Sequence, residues 1–202
     1  MEFLDKNCSL TTLNRLVLEK CQEFSCNHTD LDDFFKNDVQ IYSDELFGKS
    51  YCFLLDEDPS IIVCAFTISN DSIKVQFLPE ISTAKIRSKI SNKKTFKSFP
   101  AVLIGRLGVN KDFKKQGIGC ELMEFIKSWF IDKNNKTGCR FVVVDAYNKK
   151  ESLNYYLKNG FQYVFSTKEE EKKYMRISLN SSLRTRLMYF DLICLSPGLV
   201  DN

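Results

Sequence analysis

The sequence predicts a mixed α/β fold that starts with antiparallel strands, and three patterns carry that reading. Residues 51–55 and 61–69 are apolar runs joined by Asp56-Glu57-Asp58-Pro59, a turn composition. Residues 102–109 read as a buried strand. They lead to Leu122, Phe125, Ile126, Trp129 and Phe130, one apolar stripe at helical spacing over residues 117–131. Residues 141–146 read as a continuous buried strand, followed by a short helix that Asn159-Gly160 stops. At 202 residues and 44% hydrophobic content, a single domain over residues 1–202 with a sizeable core is expected.

The remaining elements follow in order. Residues 1–20 read as a strand or short connector around Leu13, Leu16 and Leu18. Residues 29–42 read as a helix. Leu31, Phe34, Phe35, Val39 and Tyr42 share one face, and Thr29 with Asp32 resembles a capping pair. Residues 73–77 alternate with period two, as a half-buried strand does. Residues 82–99 carry Lys85, Arg87, Lys89, Lys93, Lys94 and Lys97, no acidic residue, and a proline on either side. They read as an inserted basic helix or loop, either solvated surface or a contact to cofactor or RNA phosphates. Gly105 and Gly108 inside the 102–109 strand mark a bulge or a close backbone approach. Residues 134–138 read as a loop, 151–158 as a short helix, 168–173 as a charged hairpin tip and 186–193 as a final strand.

Composition narrows the function. The net charge of +3 gives no whole-chain signal for nucleic acid, and no apolar run reaches membrane-span length. The first nine residues carry acidic side chains and lack the apolar centre of a signal peptide. The eight cysteines are scattered without a Cys-x-x-Cys pair, which favours reduced thiols and a cytoplasmic setting over a disulfide framework. Cys21, Cys26 and His28 cluster, but a zinc site needs a fourth ligand and better spacing, so no metal is expected.

The segment Phe113-Lys114-Lys115-Gln116-Gly117-Ile118-Gly119 lies where a strand hands over to a helix. First-turn N–H groups there lack intrahelical partners and carry partial positive charge. Gly117 and Gly119 let a ligand approach the backbone, and Lys114 and Lys115 add full charge, as a pyrophosphate site requires. A Walker loop would end in Gly-Lys-Ser/Thr, and a dinucleotide fingerprint would place glycine where Leu122 stands. The other reading is an ordinary strand-to-helix turn with surface lysines.

These residues resemble the acetyl-CoA motif of the GNAT acetyltransferases, usually Gln/Arg-x-x-Gly-x-Gly/Ala, with Lys114 in the first position. The run Arg106-Leu107-Gly108-Val109 precedes it, and Phe141-Val142-Val143-Val144-Asp145-Ala146-Tyr147-Asn148 follows. Then comes Ser152-Leu153-Asn154-Tyr155-Tyr156-Leu157-Lys158-Asn159-Gly160-Phe161, similar to the family's second signature, Tyr-x-x-x-Gly-Phe. The resemblance implies a GNAT-like domain: a mixed, mostly antiparallel twisted sheet flanked by helices, with central strands splayed for acetyl-CoA. It implies that backbone N–H groups of Lys115, Gln116, Gly117, Ile118 and Gly119 bind the pyrophosphate. Lys114, Cys120 and Asn148 join the cofactor contacts, and Leu107, Gly108 and Val109 pair with the pantetheine arm. Tyr156 is implied as the general acid for the leaving sulfur.

Acetyl transfer to an amine requires a polarised thioester, a neutral amine, a donor for the tetrahedral oxyanion and a proton for the thiolate. N–H groups of residues 107–109 suit the oxyanion. No base is evident: residues 101–109 lack a carboxylate, and Asp145 reads as a turn cap. Tyr156 has a plainer reading as an aromatic that packs its helix. The head segment from Phe24 to Phe35, with Gly105-Arg106-Leu107-Gly108-Val109, is similar to acetyltransferase toxins of toxin–antitoxin pairs, which acetylate the α-amino group of aminoacyl-tRNA. Three functions follow: an N-acetyltransferase acting on a small-molecule or protein amine, a toxin-like enzyme acting on tRNA, or a CoA-binding module without catalysis. The chain is expected to work as a monomer or homodimer away from membranes.

Overall fold

The computed structural model describes residues 3–88, 90 and 96–195. Seven strands are hydrogen-bonded in the order β1-β2-β3-β4-β5-β7-β6. They are β1 (Cys8–Thr12), β2 (Lys49–Leu55), β3 (Ile62–Ile73), β4 (Phe99–Val109), β5 (Phe141–Tyr147), β6 (Gln162–Tyr163) and β7 (Thr185–Asp191). The helices are α1 (Phe3–Asn7), α2 (Arg15–Lys20), α3 (Thr29–Asp33), α4 (Val39–Asp44), α5 (Glu80–Arg87), α6 (Ile118–Ile131), α7 (Lys150–Lys158) and α8 (Lys168–Tyr174). The fold is the sequence-predicted one, a mixed α/β sheet flanked by helices. By its contacts the chain divides into two compact units, Met1–Ser69 with Ile104–Asp132, and Asn70–Leu103 with Lys133–Asn202.

In the first unit β1, β2 and β3 form an antiparallel meander, with Tyr51 opposite Thr12 and Phe66. Alternation along β2 sends Tyr51 and Phe53 to one face and Cys52 to the other. The first face meets α6. The Tyr51 and Trp129 rings lie 4.9 Å apart, and those of Phe53 and Phe125 5.0 Å apart, both edge-on. The second face meets the head helices, where Phe34, Phe35 and Val39 pack with Leu13, Cys52, Ile62 and Ala65. A π-helical segment, Phe34–Asp38, joins α3 to α4, so the single helix expected over residues 29–42 is continuous but unevenly wound. Residues 1–20 hold two short helices around β1. Leu13 is buried, and Leu16 is exposed.

Three local expectations need correction. Thr29 is not an N-cap: His28 occupies that position without a side-chain cap, and Asp32 reaches back to accept from Ser25 Oγ at 2.8 Å and Cys26 N at 2.7 Å. Residues 73–77 are not a separate strand. Ile73 ends β3 and Val75–Phe77 is a 3-10 turn, although Ile73 and Val75 are buried as the alternation requires. The charged hairpin tip is α8. Thr167 and Glu170 form a reciprocal capping box.

In the second unit β5 pairs with β7, with Phe141 opposite Asp191 and Tyr147 opposite Thr185, and β6 extends the sheet beyond β7. Ile73, Val75, Ile86, Phe99, Phe141, Val143, Phe165 and Tyr189 are among its core residues. Helix α8 is tied to β7 by Glu171, fully buried, which accepts from Arg186 Nε and Leu187 N. Burial holds the Glu171 carboxyl above its usual range despite Leu187 N–H and Arg186. Removing one partner of such a pair strands a buried charge. Arg186→Met is therefore expected to lower unfolding free energy by about 3–5 kcal/mol in denaturant titration. Of the basic segment at 82–99, α5 is a helix, with Lys85 donating to Tyr163 O and Arg87 to Phe96 O. Lys89, Lys93 and Lys94 lie outside the described residues.

Candidate active site

The turn after β4 is built by two short-range devices. Asn110 is buried, its amide donates to Ile62 O at 2.8 Å, and its Oδ1 accepts from Asp112 N. That pins the strand end and starts a 3-10 turn, Lys111–Phe113. The chain then reverses through Lys115 at φ 63 and Gly117 at φ 86, and α6 begins at Ile118. The left-handed region suits glycine at 117, and nothing lies within 4 Å of where a Cβ would stand. Ile118 is buried and anchors the helix, while Lys114, Lys115, Gln116 and Gly117 are exposed. Among the described residues, no acceptor takes the backbone N–H of Lys115, Gln116, Gly117 or Ile118. The turn therefore presents unsatisfied donors, a helix N-terminus and two lysines to solvent. That is the electrostatic requirement of a pyrophosphate.

The N-terminal helix braces this turn, a feature sequence reading missed. Glu121, on the first turn of α6, accepts from Phe3 N and Leu4 N, each at 2.9 Å. Leu4 is buried, and the Phe3 ring sits 5.9 Å from that of Phe113. The contact spans more than a hundred residues, so no local signal marks it.

Along β4 the two glycines differ. A Cβ at Gly105 would meet only Thr67 O at 3.9 Å, whereas one at Gly108 would meet Cys26 at 3.2 Å and Phe24 at 3.3 Å. Gly108 thus lets the head segment lie directly on the strand, and Lys111 N donates to Ser25 O beside it. Gly108→Ala should cost about 1–3 kcal/mol as buried Cys26 and Phe24 are pushed outward, read as a lower midpoint in urea. Arg106 shares this face. Its Nη1 donates to Gly105 O at 2.9 Å, and its guanidinium carbon stands 4.8 Å from the Phe34 ring centroid.

In the second unit Tyr156 is half-buried on α7. Its ring lies 5.0 Å from Tyr155 and 5.3 Å from Phe161, both edge-on. Its hydroxyl has no hydrogen-bond partner among the described residues. Burial, then the nearby Tyr147 phenol, pushes its pKa well above the ordinary tyrosine value. A tyrosine that served only packing would gain nothing from a polar tip without a partner; one that waits for a ligand atom has this arrangement. Gly160, at φ 79, ends the following turn. Asn148 clamps the end of β5: its amide donates to Leu183 O at 2.8 Å, and its backbone N–H to Arg184 O. Asp145 reaches solvent from β5, and its carboxyl pKa is raised first by desolvation and then by the neighbouring Asp71 charge. Cys120 is exposed on α6, and Leu107 and Val109 are half-buried on β4. Among the described residues, no group of three His, Cys, Asp or Glu side chains is placed to hold a metal, and no helix is long and apolar enough to cross a membrane.

Residues 79–163 match the family model described as an acetyltransferase (GNAT) domain. No curated protein matches the chain. Among solved structures, the fold is similar to a tyrosine-to-phenylalanine mutant of KacT, with TM-score 0.63, 16% identity, and 94% of this chain and 98% of that one covered. It is similar to AtaT complexed with acetyl-methionyl-tRNAfMet, with TM-score 0.64, 15% identity and coverage of 94% and 97%. It is also similar to AtaTR bound with AcCoA, with TM-score 0.63, 15% identity and coverage of 94% and 96%.

Proposed function

We propose that this chain, which carries a GNAT acetyltransferase domain, transfers the acetyl group of acetyl-CoA to a primary amine by direct attack on the thioester. The observation that carries the reading is the arc of unpartnered N–H groups at Lys115, Gln116, Gly117 and Ile118, flanked by exposed lysines at the head of α6. The arc binds the pyrophosphate, with Lys114, Lys115, Gly119 and Cys120 around it. The N–H and C=O groups of Leu107 to Val109 hold the pantetheine arm, and N–H groups there donate to the oxyanion. The amine nitrogen bonds to the acetyl carbon, the carbon–sulfur bond breaks, and Tyr156 gives its proton to the departing sulfur. The amine sheds its own proton to solvent, and the Tyr156 phenolate takes one back from solvent to close the cycle.

The acceptor we favour is the α-amino group of aminoacyl-tRNA. An α-amino group has a pKa of about 7.7–8.0, against about 10.4 for lysine, so it arrives largely neutral without a strong base. That suits a β4 strand whose residues 101–109 contain no carboxylate. It also suits the likeness to AtaT complexed with acetyl-methionyl-tRNAfMet, which extends over 94% of the chain. A small-molecule or protein amine is the second reading, because a raised Asp145 carboxyl is a base for a more basic amine. The test supplies radiolabelled acetyl-CoA with methionyl-tRNA, free methionine and a lysine peptide. Label in the tRNA fraction alone supports the first acceptor; label in free methionine or the peptide alone assigns the second. Label in none of them, at saturating acetyl-CoA, overturns the enzyme reading.

A further inference from the structure

We propose that Arg106 is a preformed oxyanion-binding residue of the acceptor site, holding a phosphate oxygen of the molecule to be acetylated. This rests on the reading of β4 as the strand beside the thioester. Two other arginines held among packed side chains are matched by carboxylates, while half-buried Arg87 donates to Phe96 O. Arg140 pairs with Asp191 at 2.7 Å, and Arg186 pairs with Glu171. Arg106 has no such match among the described residues. Among the described residues its Nε is buried without an acceptor. Of five guanidinium donors, only the Nη1 bond to Gly105 O is made to a described residue.

A buried guanidinium donor left unsatisfied is costly, and a chain that keeps one at its central strand gains when a ligand supplies the acceptor. The geometry is also set in advance. The Gly105 carbonyl and the buried Phe34 ring fix the guanidinium plane, so little rotamer freedom is lost when an oxyanion docks on the fork. Side chains alternate along β4, so Arg106 lies on the Gly108 face, where the head segment packs, and opposite Leu107. Its charge thus serves a molecule on that face of the strand. An acceptor with a phosphate close to its amine fits, whether the phosphate belongs to the terminal nucleotide of a charged tRNA or to a small phosphorylated amine.

The experiment compares the unaltered protein, Arg106→Lys and Arg106→Ala. Protein labelled with ¹⁵N-arginine is titrated with inorganic phosphate while Nε–H resonances are followed. One resonance should move saturably, and it should be missing in both variants. Acetyl-CoA affinity by calorimetry should stay within about twofold, since the substitution leaves the 114–119 turn intact. Binding of methionyl-tRNA should weaken about tenfold in Arg106→Ala, with the log–log salt slope shallower by about one. O-phosphoethanolamine, run in parallel, distinguishes a small phosphorylated amine from tRNA. An unmoved Nε–H resonance together with an unchanged salt slope overturns the proposal. Loss of acetyl-CoA affinity in the variants also overturns it, by assigning the residue to the cofactor. Failure of the unaltered protein to bind acetyl-CoA would instead strike the cofactor reading, and the phosphate titration would still report on Arg106 directly.

Discussion

Titration of the unaltered protein with acetyl-CoA and with CoA should give binding in the micromolar range or tighter, and Lys114→Glu with Lys115→Glu should abolish most of it. Each charge-assisted hydrogen bond to a phosphate contributes about 1.5–3 kcal/mol. Losing two and adding two repelling carboxylates at a helix N-terminus should weaken binding by roughly 10³-fold. Both side chains are exposed, and among the described residues neither makes a hydrogen bond or ion pair through its ammonium group, so the thermal midpoint should hardly move. That separation of affinity from stability is the diagnostic. The dependence on salt should be steep for the unaltered protein and shallow for the double variant. Unchanged CoA affinity in the variant would sink the pyrophosphate reading and leave the turn a structural feature with surface lysines.

The parts of this fold written in short-range pattern were legible. The α6 stripe, the β2–β3 turn, the Asn159-Gly160 stop and the glycine turn each need only neighbouring residues, and each stands where the pattern puts it. Helix α8 was missed although its capping box, Thr167 to Glu170, is in plain view. A run of lysines and glutamates shows no apolar stripe, and Glu171 becomes a buried residue only because Arg186 on β7 meets it. The same limit applies at the candidate site. Gly108 was legible as a glycine that marks a close approach, but Cys26 and Phe24, which make the approach, come from the head segment. Glu121 reads as a solvated first-turn carboxylate until the N-terminal helix docks on it. Asp32 fits a capping pattern, yet it accepts from Ser25 and Cys26 in the loop before the helix rather than from the helix itself.

Tyr156→Phe should lower kcat by about 10²–10⁴-fold, the usual contribution of a positioned general acid, with acetyl-CoA affinity preserved. The substitution removes one oxygen and keeps the ring that packs against Tyr155 and Phe161, so stability should be nearly unchanged. Because the hydroxyl makes no hydrogen bond among the described residues, none of them is left stranded. The pH profile adds a second, independent readout. Burial raises the phenol pKa above the ordinary tyrosine value of about 10, so the acid stays protonated across the neutral and mildly alkaline range. The rate should therefore climb as the acceptor amine loses its proton and should not fall again until pH exceeds about 10. The sign for stability is the same: a folded-state pKa raised above the unfolded one gives stability that is complete below the unfolded value and lost as pH rises through the folded one. In Tyr156→Phe the residual rate should still climb with amine deprotonation and show no alkaline decline of its own. Turnover by Tyr156→Phe equal to that of the unaltered enzyme, with any amine, would remove the residue from the mechanism. The sulfur would then have to leave as a thiolate or take its proton from water.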